Sequence, residues 1–282
     1  MKNLNELKIG CIGSGMMGGA LMQAVAKKIG GNKVYVSDVD LKKATAFAEK
    51  IGGTALASNT ELAKSCDLVF IAVKPAYIDG VLKEIATAIK GKEKLLVSMA
   101  AGVSLQRISG AFEKDGNAPQ LVRIMPNLPA TVGEAMIALS PFAGSECVEK
   151  TSDESCLLVK ELLSLAGKVE IEPEKLMDAV TAVSGSGPAY AFLFIEALAD
   201  AAVRFGMPRS QAYTYSAQTL KGAASLFLED GRSVSQLKDA VCSPAGTTIE
   251  GVIALERNGF RNAVIEAATA AFNKSVELGK KD

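Results

Sequence analysis

The feature that most constrains this chain is a short apolar segment that runs into a glycine-rich turn and then into a helical pattern. Residues 8–12 are mostly apolar and too few for a helix, and residues 13–18 read Gly-Ser-Gly-Met-Met-Gly, a G-x-G-x-x-G pattern. In such a turn Gly13 allows the tight bend, Gly15 leaves room for a pyrophosphate, and Gly18 lets the helix pack against the strand. The pattern predicts a dinucleotide-binding turn. The alternative is a strand-to-helix turn without a ligand.

Strand patterns continue along the first part of the chain and alternate with helical ones. The predicted strands are residues 8–12, 33–36, 54–56, 68–73, 95–98, 120–125, 134–139 and 168–171. This alternation predicts an α/β fold with a Rossmann-type, doubly wound parallel sheet, in which functional residues gather at the carboxyl ends of the strands. Those ends are residues 13–18, 37–38, 72–75, 99–101 and 126–127.

After residue 172 the strand signal disappears and long helical patterns follow. We therefore predict a dinucleotide-binding domain over residues 1–172 and an all-helical domain over residues 173–282. The predicted helix at 189–205 is apolar nearly all round, which is typical of a helix buried on every side. A small helical domain can hardly enclose it, so we expect a homodimer through this domain. The alternative is burial against the chain's own N-terminal domain.

Charge and composition exclude several classes of function. The 31 basic residues equal the 31 acidic ones, which argues against nucleic acid or an anionic membrane as partner, and the most apolar span is too short and too charged to cross a membrane. The chain has no histidine, and its five cysteines have no metal-ligand spacing, so we expect no metal site and no histidine base. Scattered cysteines and the lack of a signal peptide favour the cytoplasm.

A second loop stands out in the helical domain. Residues 242–248 read Cys-Ser-Pro-Ala-Gly-Thr-Thr and open a predicted helix at 247–258. Hydroxyls, a glycine and backbone N–H groups at a helix N-terminus form an anion site by geometry. The alternative is an ordinary N-cap that follows a proline.

Four stretches together resemble the pyrroline-5-carboxylate reductase family over essentially the whole chain. They are residues 13–18, Ala-Val-Lys-Pro at 72–75, Ser-Gly-Ser-Gly-Pro-Ala-Tyr at 184–190, and the segment 237–248. The resemblance implies hydride transfer from nicotinamide C4 of NADPH or NADH to the imine carbon of 1-pyrroline-5-carboxylate, which yields L-proline, the last step of proline biosynthesis. It also implies a helical domain that interlocks with a second subunit, and dimers that assemble into decamers in several relatives.

The resemblance also implies site residues. With Gly18 and Asp38 from the glycine-turn pattern, the expected cofactor contacts are Ile12, Gly13, Ser14, Gly15, Met16, Met17, Ser37, Asn59, Ala72, Val73, Lys74, Pro75, Met99, Ala100 and Ala101. The expected substrate contacts are Ser243, Gly246, Thr247 and Thr248. In this hypothesis the N–H groups of the last three bind the substrate carboxylate. The Thr248 hydroxyl acts as the catalytic group, which hydrogen-bonds the ring nitrogen and helps to relay a proton.

Three positions leave questions open. Asp38 lies about twenty positions after the glycines, where a carboxylate accepts from a ribose 2′-hydroxyl and repels a 2′-phosphate, whereas Ser37, Lys42 and Lys43 could hold a phosphate. The choice between NADH and NADPH is therefore open, as is the role of Lys74. Relatives usually have Pro-Gly-Gly where this chain has Pro-Ala-Gly, and we expect that Ala245 does not need a positive φ.

Two rival functions remain at this stage. One is another two-domain reductase of the 3-hydroxyacid or ketopantoate type, which usually places a catalytic lysine on a helix of the second domain. No lysine after residue 173 lies in an obvious pattern of that kind. The other is a non-catalytic nucleotide-binding protein. The intact loop 243–248 argues against it, because such a protein need not preserve an anion site for a substrate.

Overall fold

A computed structural model describes residues 4–89, 93–112, 119–145, 148 and 150–280. Its contacts divide the chain into two compact units, the first made of Met1–Gly185 with Ala271–Asp282 and the second of Ser186–Ala270. The contact-defined division thus falls after Gly185, and the functional boundary at 172/173 stays a prediction. Cys11, Cys66, Cys156 and Cys242 are free thiols, and Cys147 lies outside the described residues.

The first unit is built on one sheet, and its strand sequence explains why the sheet is covered on both faces. The strands are Ile9–Ile12 (β1), Val34–Ser37 (β2), Thr54–Ala55 (β3), Leu68–Ile71 (β4), Leu95–Ser98 (β5), Gln120–Met125 (β6), Ala135–Pro141 (β7) and Gly167–Ile171 (β8). Along β4, Phe70 packs into one hydrophobic cluster, while Val69 and Ile71 pack into another. Because successive side chains of a strand point to opposite faces, a continuous apolar run fits a sheet buried on both sides.

The strand order within the described residues is β3-β2-β1-β4-β5-β6-β7-β8, and the pairs from β3 through β6 are parallel, as predicted. The pair β6–β7 is antiparallel, with Arg123 opposite Ser140, which corrects the expectation of a wholly parallel sheet. Only a short 3-10 segment, Leu128–Val132, lies between these strands. A parallel crossover needs a dozen or more residues, so this connection has to reverse the chain.

The sequence pattern predicts helices at about 41–51 and at 78–89, and the structure has both with the same ends, Leu41–Ile51 and Ile78–Ile89. Local signals explain the first of them, because the Asp40 side chain accepts from the Lys43 N–H at its start and Gly52 is left-handed at its end. The helices of this unit are Met16–Ile29 (α1), Leu41–Ile51 (α2), Asn59–Ser65 (α3), Ile78–Ile89 (α4), Leu105–Gly110 (α5), Asp153–Leu162 (α6) and Met177–Val180 (α7).

The sequence pattern also predicts a helix at 177–183, and the structure shows that this segment is only partly α-helical. It consists of α7 followed by a π-helical segment, Thr181–Gly185. The Asn127 amide at the end of β6 donates to the Ser184 carbonyl at 3.1 Å and to the Ser184 hydroxyl at 3.2 Å. This tertiary contact holds a segment whose sequence carries an ordinary helical pattern.

The second unit is helical throughout and leaves much apolar surface uncovered. Its helices are Gly187–Arg204 (α8), Arg209–Asp230 (α9), Val234–Val241 (α10), Thr247–Arg257 (α11) and Phe260–Lys280 (α12), the last of which belongs to the first unit beyond residue 270. On α8 only Ala199 is buried, whereas Phe192 and Leu193 are 57% and 67% exposed. The chain alone therefore does not provide the all-round burial that the apolar sequence of α8 predicts.

Among the described residues one stretch, Glu174–Arg204, meets the length and hydropathy expected of a membrane span, which differs from our expectation that the most apolar span is too short and too charged; core helices of globular proteins meet the same criteria. Only 11% of its most apolar window is buried within the described chain. Its exposed apolar side chains form a surface that a partner protein or a lipid phase could cover.

Candidate active site

The glycine turn between β1 and α1 has the geometry that its sequence predicts. Gly13 has a φ of +100°, and its N–H donates to the Ser37 carbonyl at 2.8 Å. A Cβ on Gly13 would lie 2.6 Å from the carbonyl oxygen of Ala72. Both the left-handed backbone and the close approach require glycine, so the predicted tight turn is confirmed.

The other two glycines of the turn differ from each other in their surroundings. A Cβ on Gly18 would overlap the Gly13 carbonyl oxygen and lie 2.8 Å from the Ala72 Cβ, so this glycine serves close packing, as predicted. A Cβ on Gly15 would meet no atom within 4 Å. The open space beside Gly15 fits a pyrophosphate, and that role remains a prediction.

The start of α1 is suited to an anion. Gly15 is its N-cap residue, no side chain caps it, and its first turn carries no acidic residue. The N–H groups of Met16, Met17 and Gly18 have no acceptor within the helix, and the helix dipole makes this end positive. The residues present therefore fit the phosphates of a dinucleotide.

Asp38, just after β2, is bound to the glycine turn. Its Oδ2 accepts from the Ser14 N–H at 2.7 Å and from the Ser14 hydroxyl at 2.8 Å, while Oδ1 accepts from the Asp40 N–H at 3.1 Å. Partial burial alone would raise the pKa of Asp38, but these hydrogen bonds and the positive charge of Lys43 outweigh burial and lower that pKa. Asp38 is thus held as a carboxylate, and the N–H of Ser14 is already used within the protein.

Ser37 and Asn59 form a second hydrogen-bonded chain beside the turn. The Ser37 hydroxyl, 1% exposed, donates to Asn59 Oδ1 at 2.8 Å, and the Asn59 amide donates to Glu84 Oε2 at 2.6 Å. Ser37 is therefore enclosed, whereas Lys42 and Lys43, the other residues that could hold a 2′-phosphate, are exposed. Glu84 was missed from the sequence, because its place on α4 carries no signal that links it to Asn59.

The end of β4 lies beside the turn, and the end of β5 lies beside the end of β4. The Ala72 N–H donates to the Ile12 carbonyl at 2.8 Å, and the Met99 N–H donates to the Ile71 carbonyl at 3.2 Å. Ala100 is only 2% exposed, so it can offer a cofactor little beyond its backbone. The remaining predicted contacts at these ends are at least partly exposed, namely Val73, Lys74, Pro75 and Ala101.

The loop before α11, in the second unit, is a tight turn. The Gly246 N–H donates to the Ser243 carbonyl at 3.0 Å, with Pro244 and Ala245 between them. Ala245 has a φ of +55° and is the one non-glycine residue with a positive φ in the described chain, so our expectation for this position was wrong. A proline at the second position of a turn is often followed by a left-handed residue, and the methyl group of alanine costs about 1–2 kcal/mol there.

The same turn decides which groups remain for a ligand. Because its N–H is used, Gly246 cannot direct that group to a carboxylate without breaking the turn, and a Cβ on Gly246 would overlap the Ser243 hydroxyl oxygen. α11 begins at Thr247 and has no side-chain cap, so the N–H groups of Thr247 and Thr248 lack helical acceptors. Thr247 is exposed and Thr248 is half-buried. Among the described residues, no cluster of three or more His, Cys, Asp or Glu side chains could hold a metal ion.

Comparison with known proteins adds independent findings. Residues 174–278 match the family model described as pyrroline-5-carboxylate reductase dimerisation, and residues 8–102 match the model described as NADP oxidoreductase coenzyme F420-dependent. Pyrroline-5-carboxylate reductase of Escherichia coli K12 is 42% identical over 277 residues, 98% of this chain and 99% of that protein. The enzyme of Methanosarcina acetivorans is 42% identical over 280 residues, 99% of this chain and 100% of its own length.

Solved structures agree with these relatives. The crystal structure of Plasmodium falciparum pyrroline carboxylate reductase with NADP bound has a TM-score of 0.85 at 32% identity, and the alignment covers 98% of this chain and 100% of that one. The Coxiella burnetii pyrroline-5-carboxylate reductase has a TM-score of 0.86 at 34% identity and covers 97% of this chain and 99% of its own.

Proposed function

The chain belongs to the pyrroline-5-carboxylate reductase family, and on this premise we propose that it reduces 1-pyrroline-5-carboxylate to L-proline with NADPH or NADH. The observation that carries the proposal is the family relationship at 42% identity over 98% of the chain. The aligned region includes both the glycine turn, which we predict to bind the cofactor, and the loop 243–248, which we predict to bind the substrate.

The cofactor would be held by the turn and the neighbouring strand ends. The N–H groups at the start of α1 and the space beside Gly15 receive the phosphates, Asp38 and Asn59 lie on the ribose side, and the backbones of residues 72–75 and 99–101 line the rest. When bound, the nicotinamide supplies the hydride that reduces the imine carbon. The Plasmodium relative with NADP bound supports this class of cofactor.

The substrate is held by the start of α11. The N–H groups of Thr247 and Thr248 bind its carboxylate, and the turn that contains Gly246 sets their direction. The Thr248 hydroxyl hydrogen-bonds the ring nitrogen and helps to relay the proton that ends there. A protonated imine is already electrophilic, so the reaction needs no strong base, in accord with a chain that has no histidine.

The function is tested at 340 nm by following NAD(P)H oxidation with pyrroline-5-carboxylate or ketopantoate, and NAD(P)⁺ reduction with 3-hydroxyacids. We expect turnover with the cyclic imine and none with the other compounds. Turnover of a hydroxyacid or of ketopantoate without turnover of the imine would replace the proposal by the other reductase types. Cofactor binding without turnover of any of them would favour a non-catalytic nucleotide-binding protein.

Asp38 should set how strongly a 2′-phosphate is disfavoured. Replacing Asp38→Asn removes the charge and keeps the shape, so the ratio of kcat/KM with NADPH to that with NADH should rise by about tenfold or more, since two charges near 4 Å interact by a few kcal/mol close to a protein surface. Asp40→Asn, which alters a nearby carboxylate that caps α2, is the matched control and should leave the ratio unchanged. An unchanged ratio in Asp38→Asn would remove Asp38 from cofactor selection.

The chain forms a homo-oligomer. We propose that the basic unit of this oligomer is a dimer, in which the helical domains of two copies cover each other's apolar surface. The support is the exposed apolar surface of α8 and the dimerisation model that matches residues 174–278. A second copy, rather than lipid, then covers the stretch Glu174–Arg204. Light scattering after gel filtration without detergent should give twice the chain mass, or ten times if dimers assemble into a decamer.

The free thiols of the described cysteines fit the cytoplasm.

A further inference from the structure

We propose that Ser14 is a positioning residue for cofactor selection, which orients the Asp38 carboxylate so that it excludes a 2′-phosphate. The inference rests on the proposed function, because it concerns the nicotinamide cofactor of that reaction. It goes beyond the glycine pattern, in which position 14 may be any residue and only the glycines and the later acidic residue carry a role.

The contact joins two separate βα units. Ser14 and Asp38 are 24 positions apart, and they meet because β1 and β2 pair in parallel with Ile12 opposite Ser37. The Ser14 side chain is buried at 7% exposure, and both of its donors point at a single oxygen, Oδ2 of Asp38. Any residue at position 14 provides the N–H, but the second bond at 2.8 Å needs a hydroxyl.

The hydroxyl bond matters because of the other groups around Asp38. Lys43 attracts the carboxylate from α2, and the Asp40 N–H binds Oδ1. With both Ser14 bonds present, the carboxylate is fixed at the edge of the glycine turn. Without the hydroxyl, one of three donors is lost, and the carboxylate can turn towards Lys43 and solvent.

That movement would weaken two interactions of the carboxylate at once, namely its repulsion of the 2′-phosphate of NADP⁺ and its hydrogen bond from the 2′-hydroxyl of NAD⁺. A purely structural role for Ser14 predicts something different, namely a loss of stability with equal effects on the two cofactors. The ratio of the two affinities therefore separates positioning from packing.

The test is calorimetric binding of NAD⁺ and NADP⁺ to the substrate-free protein, for the parent, Ser14→Ala, Asp38→Asn and the double variant. We expect Ser14→Ala to shift the Kd ratio towards NADP⁺ by about threefold to tenfold, in the range of one typical intramolecular hydrogen bond. In the Asp38→Asn background the same substitution should shift the ratio by much less. Ser155→Ala is the matched control, since it removes a buried hydroxyl that donates to Gln120 Oε1 at 2.7 Å elsewhere in the first unit, and should leave the ratio unchanged.

An unchanged ratio in Ser14→Ala, or an equal shift with and without the Asp38 carboxylate, would overturn the proposal. Ser14→Gly also removes the hydroxyl and replaces the alanine variant if that fails to fold. Because binding is measured without substrate, a failed reductase assay would leave this result standing and overturn only the proposed reaction.

Discussion

Replacing Thr248→Ala should lower kcat/KM for pyrroline-5-carboxylate by about tenfold to a thousandfold, which corresponds to one oriented hydrogen bond on the order of 1.5–4 kcal/mol. The backbone N–H of residue 248 remains at the start of α11, so binding of the carboxylate should survive. The loss should therefore fall mainly on kcat, because the hydroxyl acts on the ring nitrogen as charge changes there. Steady-state kinetics with each cofactor at saturation measures the split.

Two variants make this result specific. Thr248→Ser keeps the hydroxyl and should retain most of the activity. Thr214→Ala removes a hydroxyl that donates to the Ser210 carbonyl at 3.1 Å within α9, and should leave the kinetics unchanged. Unchanged kcat/KM in Thr248→Ala, or a serine variant as impaired as the alanine variant, would remove the hydroxyl from the mechanism.

Gly18→Ala should lower the free energy of unfolding of the first unit by about 2–3 kcal/mol, the range of an overpacked core site. The added Cβ would overlap the Gly13 carbonyl oxygen and crowd the Ala72 Cβ at 2.8 Å, and neither backbone segment can yield without opening the turn. Alanine also improves helix propensity by up to about 1 kcal/mol, so the observed value is what remains after that gain. Urea unfolding followed by far-UV circular dichroism measures it.

Two other glycines provide the controls. Gly80 lies in α4, and a Cβ added there would have no atom within 4 Å. Gly80→Ala should therefore raise the free energy of unfolding by about 0.5–1 kcal/mol. Gly15→Ala also has open space around its Cβ, so it should unfold like the parent while it binds NAD(P)H more weakly. Equal stability of Gly18→Ala and Gly80→Ala would contradict the packing role of Gly18.

Much of the first unit was readable from local patterns. The strands of the parallel part, the ends of α2 and α4, and the tight turn at Gly13 agree with the prediction, because the signals for them lie within a few residues of chain. α5 and α10 were missed, since helices of 6 and 8 residues are too short to establish a periodicity. The loop 243–248 stood out by its hydroxyls and glycine at a predicted helix start, and the family resemblance then assigned it to the substrate.

The sequence by itself determined the α/β class, the dinucleotide turn and the family, because each of these is written in contiguous residues. The tertiary structure alone decided three things: that β7 runs antiparallel to β6, that Ala245 takes a left-handed conformation, and that Ser14 binds Asp38. The first depends on the length of a connection that must span neighbouring strands, and the second on a turn closed by a backbone hydrogen bond. The third joins atoms 24 positions apart, which meet only once β1 and β2 have paired.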